Sequence, residues 1–470
     1  MISCIKAYKA FCGLIVSVCL IAIVTGCSSV QTNKAFYEPI TAELRSGNYD
    51  SAAVAIEAAR AKNKYKEKDR FVYYMDAGLA YHYAGEYDSS SLRLGKAEDA
   101  ADELFTKSIS RAAMSLVLND NILEYAGEDY EIVYANLIKS LNYIAQDRFD
   151  DAFVEIKRAN HKLDILEQKY REASDILNEG KKSDTSRVDI NYEAEKVRFN
   201  NSAFARYLSM HVYAAEGKPD DAQLDYDLMR RAFAEQQNIY PFDMPDVKYK
   251  VDSGVVLSVV GLLGNPPVKE ALNLRLRTDK DLNLVQILYD EPGMENSEYG
   301  HIPMEVSEDY YFKFSMPKIV VTPSIINRVT VSVNGKYIGN LQLLEDVGAV
   351  ATETFAAKKS LIYLRTVARA VVKGLAAHNA KKKADDGNLG GWLKKLAIDV
   401  ATDISENADL RCSRLLPGKV MVGDFAIEPG TYDIKVTFYD AAGTVIKSTT
   451  IENYQVIEHG LNMVEAFSIN

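Results

Sequence analysis

Residue types that perform catalysis occur in this chain, but not at the spacings catalysis needs. Six histidines stand at 82, 161, 211, 301, 378 and 459. None belongs to the H-E-x-x-H arrangement that presents two imidazoles and a base to one zinc ion. Glycines cluster at Gly335 to Gly339 and Gly387 to Gly391, yet neither cluster is followed by the Lys-Ser or Lys-Thr pair that opens a phosphate-binding helix, so turns account for both. Ser315-Met316-Pro317-Lys318 matches S-x-x-K by letters alone, in a strand context and without its S-D-N and K-T-G partners, and no G-x-S-x-G elbow exists. Neighbouring acids such as Glu128-Asp129 and Asp150-Asp151 have the chemistry of an acid–base pair. In a chain with 66 acidic residues they read as solvated helix ends. No catalytic, cofactor-binding or metal-binding residue is assigned, no cofactor is expected, and the chain is read as a non-enzyme.

The remaining chemistry-bearing residue is Cys27. Lys6 and Lys9 precede an apolar run from Phe11 to Val24, which closes on Val24-Thr25-Gly26-Cys27 before Ser28-Ser29. A charged start, a short apolar run and small residues at its end are the pattern of a secretory signal. At about 14 residues the run is shorter than the roughly 20 a membrane-spanning helix needs. Residues 24–27 resemble the lipobox of bacterial lipoproteins, which implies that 1–26 is a signal peptide and that Cys27 is lipidated at the head of a linker, 27–33. Ser28 in place of Asp resembles the outer-membrane sorting preference, so the expected location is the outer membrane, facing the periplasm.

With the signal removed and Cys27 acylated, Cys412 is the one thiol left and no intramolecular disulfide can form. A buried, inert thiol is the expectation. Loss of Lys6 and Lys9 leaves 53 of the 55 basic residues against 66 acids, a net charge near −13. That balance disfavours nucleic acid as a partner.

Four segments share one shape: Gly47-Asn48-Tyr49-Asp50, Gly85-Glu86-Tyr87-Asp88, Asp147-Arg148-Phe149-Asp150 and Gly217-Lys218-Pro219-Asp220. Each sits between helical patterns, at spacings of 38, 62 and 70 residues. Such repetition predicts an α-helical solenoid over 34–236, whose hairpins bury each other's apolar faces and which should fold alone. A high tyrosine count, 29, is divided between helix packing and a peptide-holding groove, with Tyr73, Tyr74, Tyr81, Tyr83, Tyr87, Tyr125, Tyr130 and Tyr134 as the residues concerned.

After Tyr240-Pro241-Phe242 the period turns to alternation. Strands are predicted at 255–260, 282–289, 310–314, 328–333, 337–344, 419–427, 431–439, 444–451 and 461–469, with a tight hairpin at Asn334-Gly335. The fold class is thus α+β: a helical domain, 34–236, then a β-rich, sandwich-like domain, 250–470, with two inserted helices at about 355–408. The first inserted helix carries Arg365, Arg369 and Lys373, followed by Lys381-Lys382-Lys383.

Three features together resemble a family of uncharacterised bacterial tetratricopeptide-like lipoproteins: the helical repeat ending in Tyr143 to Asn160, the segment Gly264 to Glu270, and Asp409-Leu410-Arg411-Cys412-Ser413-Arg414-Leu415-Leu416-Pro417. The resemblance implies the architecture and brings no activity with it. The expected function is a membrane-anchored scaffold that recruits envelope proteins through its helical repeats. The alternative is a β domain that binds peptidoglycan or another envelope glycan, with Tyr310-Tyr311-Phe312 as its nearest aromatic candidates.

Overall fold

The computed structural model describes residues 34–109, 124–182, 199–282, 284–294, 297–303, 311–356, 359 and 408–469. Helices fill the N-terminal half: α1 (Lys34–Arg45), α2 (Tyr49–Ala61), α3 (Arg70–Tyr83), α4 (Tyr87–Ile109), α5 (Asp129–Ile144), α6 (Phe149–Lys182), α7 (Ala203–Ala215) and α8 (Pro219–Glu235). They pack as consecutive pairs. All four pairs turn in the same way, because Gly47, Gly85, Asp147 and Gly217 adopt left-handed φ of 80°, 77°, 57° and 71°. In each turn the next residue donates back five positions, as Asn48 does to Glu43 at 2.9 Å and Arg148 to Tyr143 at 2.8 Å. This Schellman closure satisfies carbonyls that the helix end leaves open. Gly78 serves helix packing instead. A Cβ there would lie 2.6 Å from Leu94, so α3 and α4 approach as closely as they do only without one.

The C-terminal part is built of sheets. Its strands are β1 (Val255–Leu263), β2 (Val268–Asp279), β3 (Leu284–Tyr289), β4 (Glu298–Pro303), β5 (Tyr311–Val320), β6 (Ile326–Val333), β7 (Lys336–Asn340), β8 (Gln342–Asp346), β9 (Lys419–Ile427), β10 (Gly430–Asp440), β11 (Val445–Val456) and β12 (Asn462–Ser468). They form three sheets of order β12-β1-β9-β8, β11-β10-β6-β7 and β4-β3-β2-β5. In the first, β1 runs parallel to β12 and antiparallel to β9.

Alternation along β1 assigns the two faces of that first sheet. Leu257, Val259 and Leu263 pack with Val329, Val331, Val436 and Phe438 of the second sheet. Val260 and Leu262 join Val420, Val422 and the helices in a different cluster. The layers are therefore helices, first sheet, second sheet. A core shared in this way does not stop at the change of period near residue 240, which argues against independent folding of 34–236.

Residues 337–344, expected as one strand, are two. Leu341 breaks the run: its amide donates to Val329 at 2.9 Å and its side chain is buried between the sheets, so β7 and β8 belong to different layers. Strands β2 and β4 add to those expected. A helical stretch covers 347–356, and the remainder of the inserted helices lies outside the described residues.

Candidate functional site

Helices α3, α5 and α7 are buried nearly all round, and polar side chains tie them to the first sheet. His82 of α3 bridges Asn142 (2.7 Å) and Glu465 of β12 (2.9 Å). The Tyr83 hydroxyl donates to the Leu415 carbonyl at 2.8 Å. Tyr134 of α5 donates to Glu345 of β8, and Tyr207 of α7 to Asp424 of β9 at 2.8 Å. Ser258 of β1 meets His211 at 3.2 Å. The face that a free helical array would offer as a groove is thus occupied by this chain's own sheet. Tyr73, Tyr83, Tyr125, Tyr130 and Tyr134 are buried, and Tyr74 and Tyr81, half-buried, lie against the same core, so packing accounts for these seven; Tyr87 is half-buried.

The most acid–base-like cluster lies in this junction. Asp76 of α3 accepts from the hydroxyls of Tyr37 (2.9 Å), Tyr65 (2.8 Å) and Ser413 (2.8 Å). Glu131 of α5 accepts from the Tyr125 hydroxyl and the Glu128 amide, both at 2.7 Å, and from the Ser413 amide. Burial pushes the Asp76 carboxyl up to about 6 against those hydrogen bonds, and pushes Glu131 up to about 7. Carboxyls titrating near neutrality often mark catalysis. Here both are fully enclosed and every oxygen is engaged, so no substrate atom can reach them; what they do is join the helices to the 409–417 segment.

This junction makes stability depend on pH. Folding raises both carboxyl pKa values, so their contribution is whole below about pH 4 and is lost as pH rises through about 6 and 7. His82 adds the same sign: burial opposes its charge, but Glu465 and its hydrogen bonds raise it overall. The opposite slope comes from Glu98, which Lys162 and Lys139 hold at about 2 despite burial, and from Asp409, held low against burial by Lys269 and Arg411. Stability should peak near pH 5 and fall toward pH 8 by about 4 kcal/mol, because from pH 5 upward Asp76 still has to lose its proton near 6 and Glu131 near 7. Urea unfolding at both pH values measures this, and Glu131→Gln should flatten the slope. Stability that rises from pH 5 to 8 would refute the assignment.

The outward faces of the second helices carry a different pattern. Val54 of α2, Leu92 of α4, Val154 of α6 and Leu224 of α8 are 68%, 58%, 47% and 59% exposed. Each lies seven positions after its turn residue, Gly47, Gly85, Asp147 or Gly217. One exposed apolar side chain needs no explanation, but the same position in all four pairs does. Four positions before each stands an exposed aspartate, Asp50, Asp88, Asp150 or Asp220, placed in the first helical turn where the helix dipole favours it. The signal for this row was in the sequence, at a constant offset from the four turns, where the more numerous tyrosines overshadow it.

Cys412 is buried, as expected, with its thiol pushed up to about 11 by burial, which removes it from thiolate chemistry. Cys27 and the basic segment 365–383 lie outside the described residues, as do the side chains of Tyr310, Tyr311 and Phe312. Among the described residues, no group of histidine, cysteine and carboxylate side chains could hold a metal ion, and no helix is long and apolar enough to cross a membrane. No family model, curated protein or solved structure matches the chain.

Proposed function

We propose that this chain is a lipid-anchored protein of the bacterial envelope, tethered through Cys27 to the outer membrane on its periplasmic side. On this reading it holds partner proteins on a tetratricopeptide-like helical array and catalyses no reaction. The observation that carries the proposal is the outward row Val54, Leu92, Val154 and Leu224. Because the inner helix faces are committed to the chain's own sheet, a partner must be met on the outer ones. The aspartates beside the row select the partner's chemistry: an apolar strip bordered by basic residues, for which burial supplies affinity and charge supplies orientation. A lipid tether confines the search for that partner to a surface and raises its effective concentration.

Two variants separate the parts. Cys27→Ala should move the protein from the membrane to the soluble envelope fraction and abolish fatty-acid labelling while partners are still captured. The double change Leu92→Arg with Val154→Arg, at exposed positions where the stability cost is within about 0.5 kcal/mol, should leave the tether intact. It should lower the yield of specifically co-purifying proteins by about tenfold, the loss expected from some 1.4 kcal/mol of binding. An unchanged set of partners would overturn the docking face, and an unchanged membrane fraction for Cys27→Ala would overturn the anchor.

A further inference from the structure

Two segments singled out in the sequence, Gly264 to Glu270 and Asp409 to Pro417, are brought together against α1. β1 ends at Leu263, and Gly264 turns the chain with a φ of +82° while its amide donates to the Ser468 carbonyl at 3.0 Å. The Gly418 amide donates to the Leu263 carbonyl at 3.0 Å. A Cβ on residue 418 would fall 2.2 Å from the Asn265 carbonyl oxygen, so glycine is required there to seat the loop. The loop so held leaves a cleft of about 290 Å3 between itself and α1.

Tyr37, Leu44, Val268 and Ile469 supply apolar lining, and Glu38, Arg45, Glu270 and Arg414 supply charge. Glu38 and Arg45 face each other at 3.6 Å. The other two make no ion pair among the described residues: Arg414 has no carboxylate within ion-pair distance, and Glu270, exposed and opposite Lys318 across the β2–β5 pair, has no cation within it. The Arg414 guanidinium is half-buried, 5.3 Å above the Tyr37 ring. The side-chain amide of Asn265, also in the lining, has no hydrogen-bond partner among the described residues. A small cleft with one unanswered cation, one unanswered anion and a free amide between aliphatic walls is complementary to a dipolar molecule.

We propose that this cleft binds a small zwitterionic ligand of the amino-acid or short-peptide class. Its carboxylate rests on the Arg414 fork, which suits a planar anion, and its ammonium on Glu270. A small aliphatic side chain lies against Leu44, Val268 and Ile469. The volume, at the low end of ligand pockets, limits the occupant to about the size of a dipeptide. The proposal shares no residue with the outer helix row and stands or falls apart from it.

Isothermal titration of the whole protein with alanyl-leucine, N-acetyl-alanyl-leucine and alanyl-leucine amide is the test. Saturable binding of the free dipeptide is expected, with each capped form weaker by about tenfold or more, since a charged hydrogen-bonded pair is lost. Arg414→Gln should erase the difference between free acid and amide, and Arg414→Lys should keep part of it. Glu270→Gln, an exposed strand position, should erase the difference between free and acetylated peptide, and it remains informative if the Arg414 variants do not fold. No saturable binding of the free dipeptide, equal binding of all three peptides, or wild-type discrimination in folded variants would overturn the proposal.

Discussion

Replacement of Arg411 by alanine should destabilise the protein by about 3–5 kcal/mol, the cost of leaving buried carboxylates without their cation. The Arg411 side chain is 1% exposed. Its Nε and a terminal nitrogen reach the two oxygens of Asp409 at 2.9 and 2.8 Å. Its other terminal nitrogen lies 3.4 Å from Asp69, at the entry to α3, and 3.3 Å from the Lys68 carbonyl. The guanidinium also covers the Tyr125 ring at 5.1 Å. One side chain therefore fastens the 409–417 segment to the start of a buried helix. Lysine should not rescue it, because a single ammonium cannot span both oxygens of Asp409 and still meet Asp69. Urea unfolding of Arg411→Ala and Arg411→Lys measures the effect; a loss below about 1 kcal/mol, typical of an exposed pair, would show that the contact is ornamental.

Glu345→Ala should cost about 4 kcal/mol, since several buried donors lose their acceptor at roughly 1–3 kcal/mol each. Glu345 is fully buried and accepts from the hydroxyls of Tyr134, Ser202 (2.9 Å) and Tyr240 (2.7 Å) and from the Phe204 amide at 3.2 Å. It thereby gathers α5, the N-terminus of α7 and the 240 segment onto β8. Glu345→Gln, which keeps a carbonyl in place, should lose about half as much. Hydrogen exchange should report the loosening in α7 first, where the amides of Phe204 and Ala203 depend on this cluster. Exchange in α7 as slow as in the parent protein would mean that apolar packing alone holds it. Cutting the chain after residue 236 removes Glu345, Asp424, Glu465 and Ser413 together, which is why the helical half is not expected to fold alone.

Much of the architecture was legible from local rules. The four turns were visible because each needs a left-handed residue at a fixed place, and Asn334-Gly335 was visible because a tight hairpin needs two such residues, with φ of 48° and 76°. Strand β9 occupies the whole expected span, 419–427. What local rules could not give is which surfaces meet. Tyr37, Tyr65 and Tyr125 have the composition of a binding groove, yet their hydroxyls serve Asp76 and Glu131, acids that look like any others in a chain so rich in them. Ser413, ordinary by type, proves to bridge both carboxylates. The break at Leu341 was hidden because the two strands beside it differ in the sheet they join, which no local pattern records. The outer row was hidden for the opposite reason: single exposed valines and leucines carry no weight until four are found at one offset.

The division of the helices, inner faces for the chain's own sheet and outer faces for partners, is tested most directly by site-specific photo-crosslinking in intact cells. A photoreactive residue at 92 or 154 should give discrete adducts with partner proteins. The same residue at 337, equally accessible on β7 (Tyr337 is 56% exposed), should give none of them. Adducts of the same kind from 337, or none from 92 and 154 in cells where the protein is anchored, would contradict the outer-face assignment.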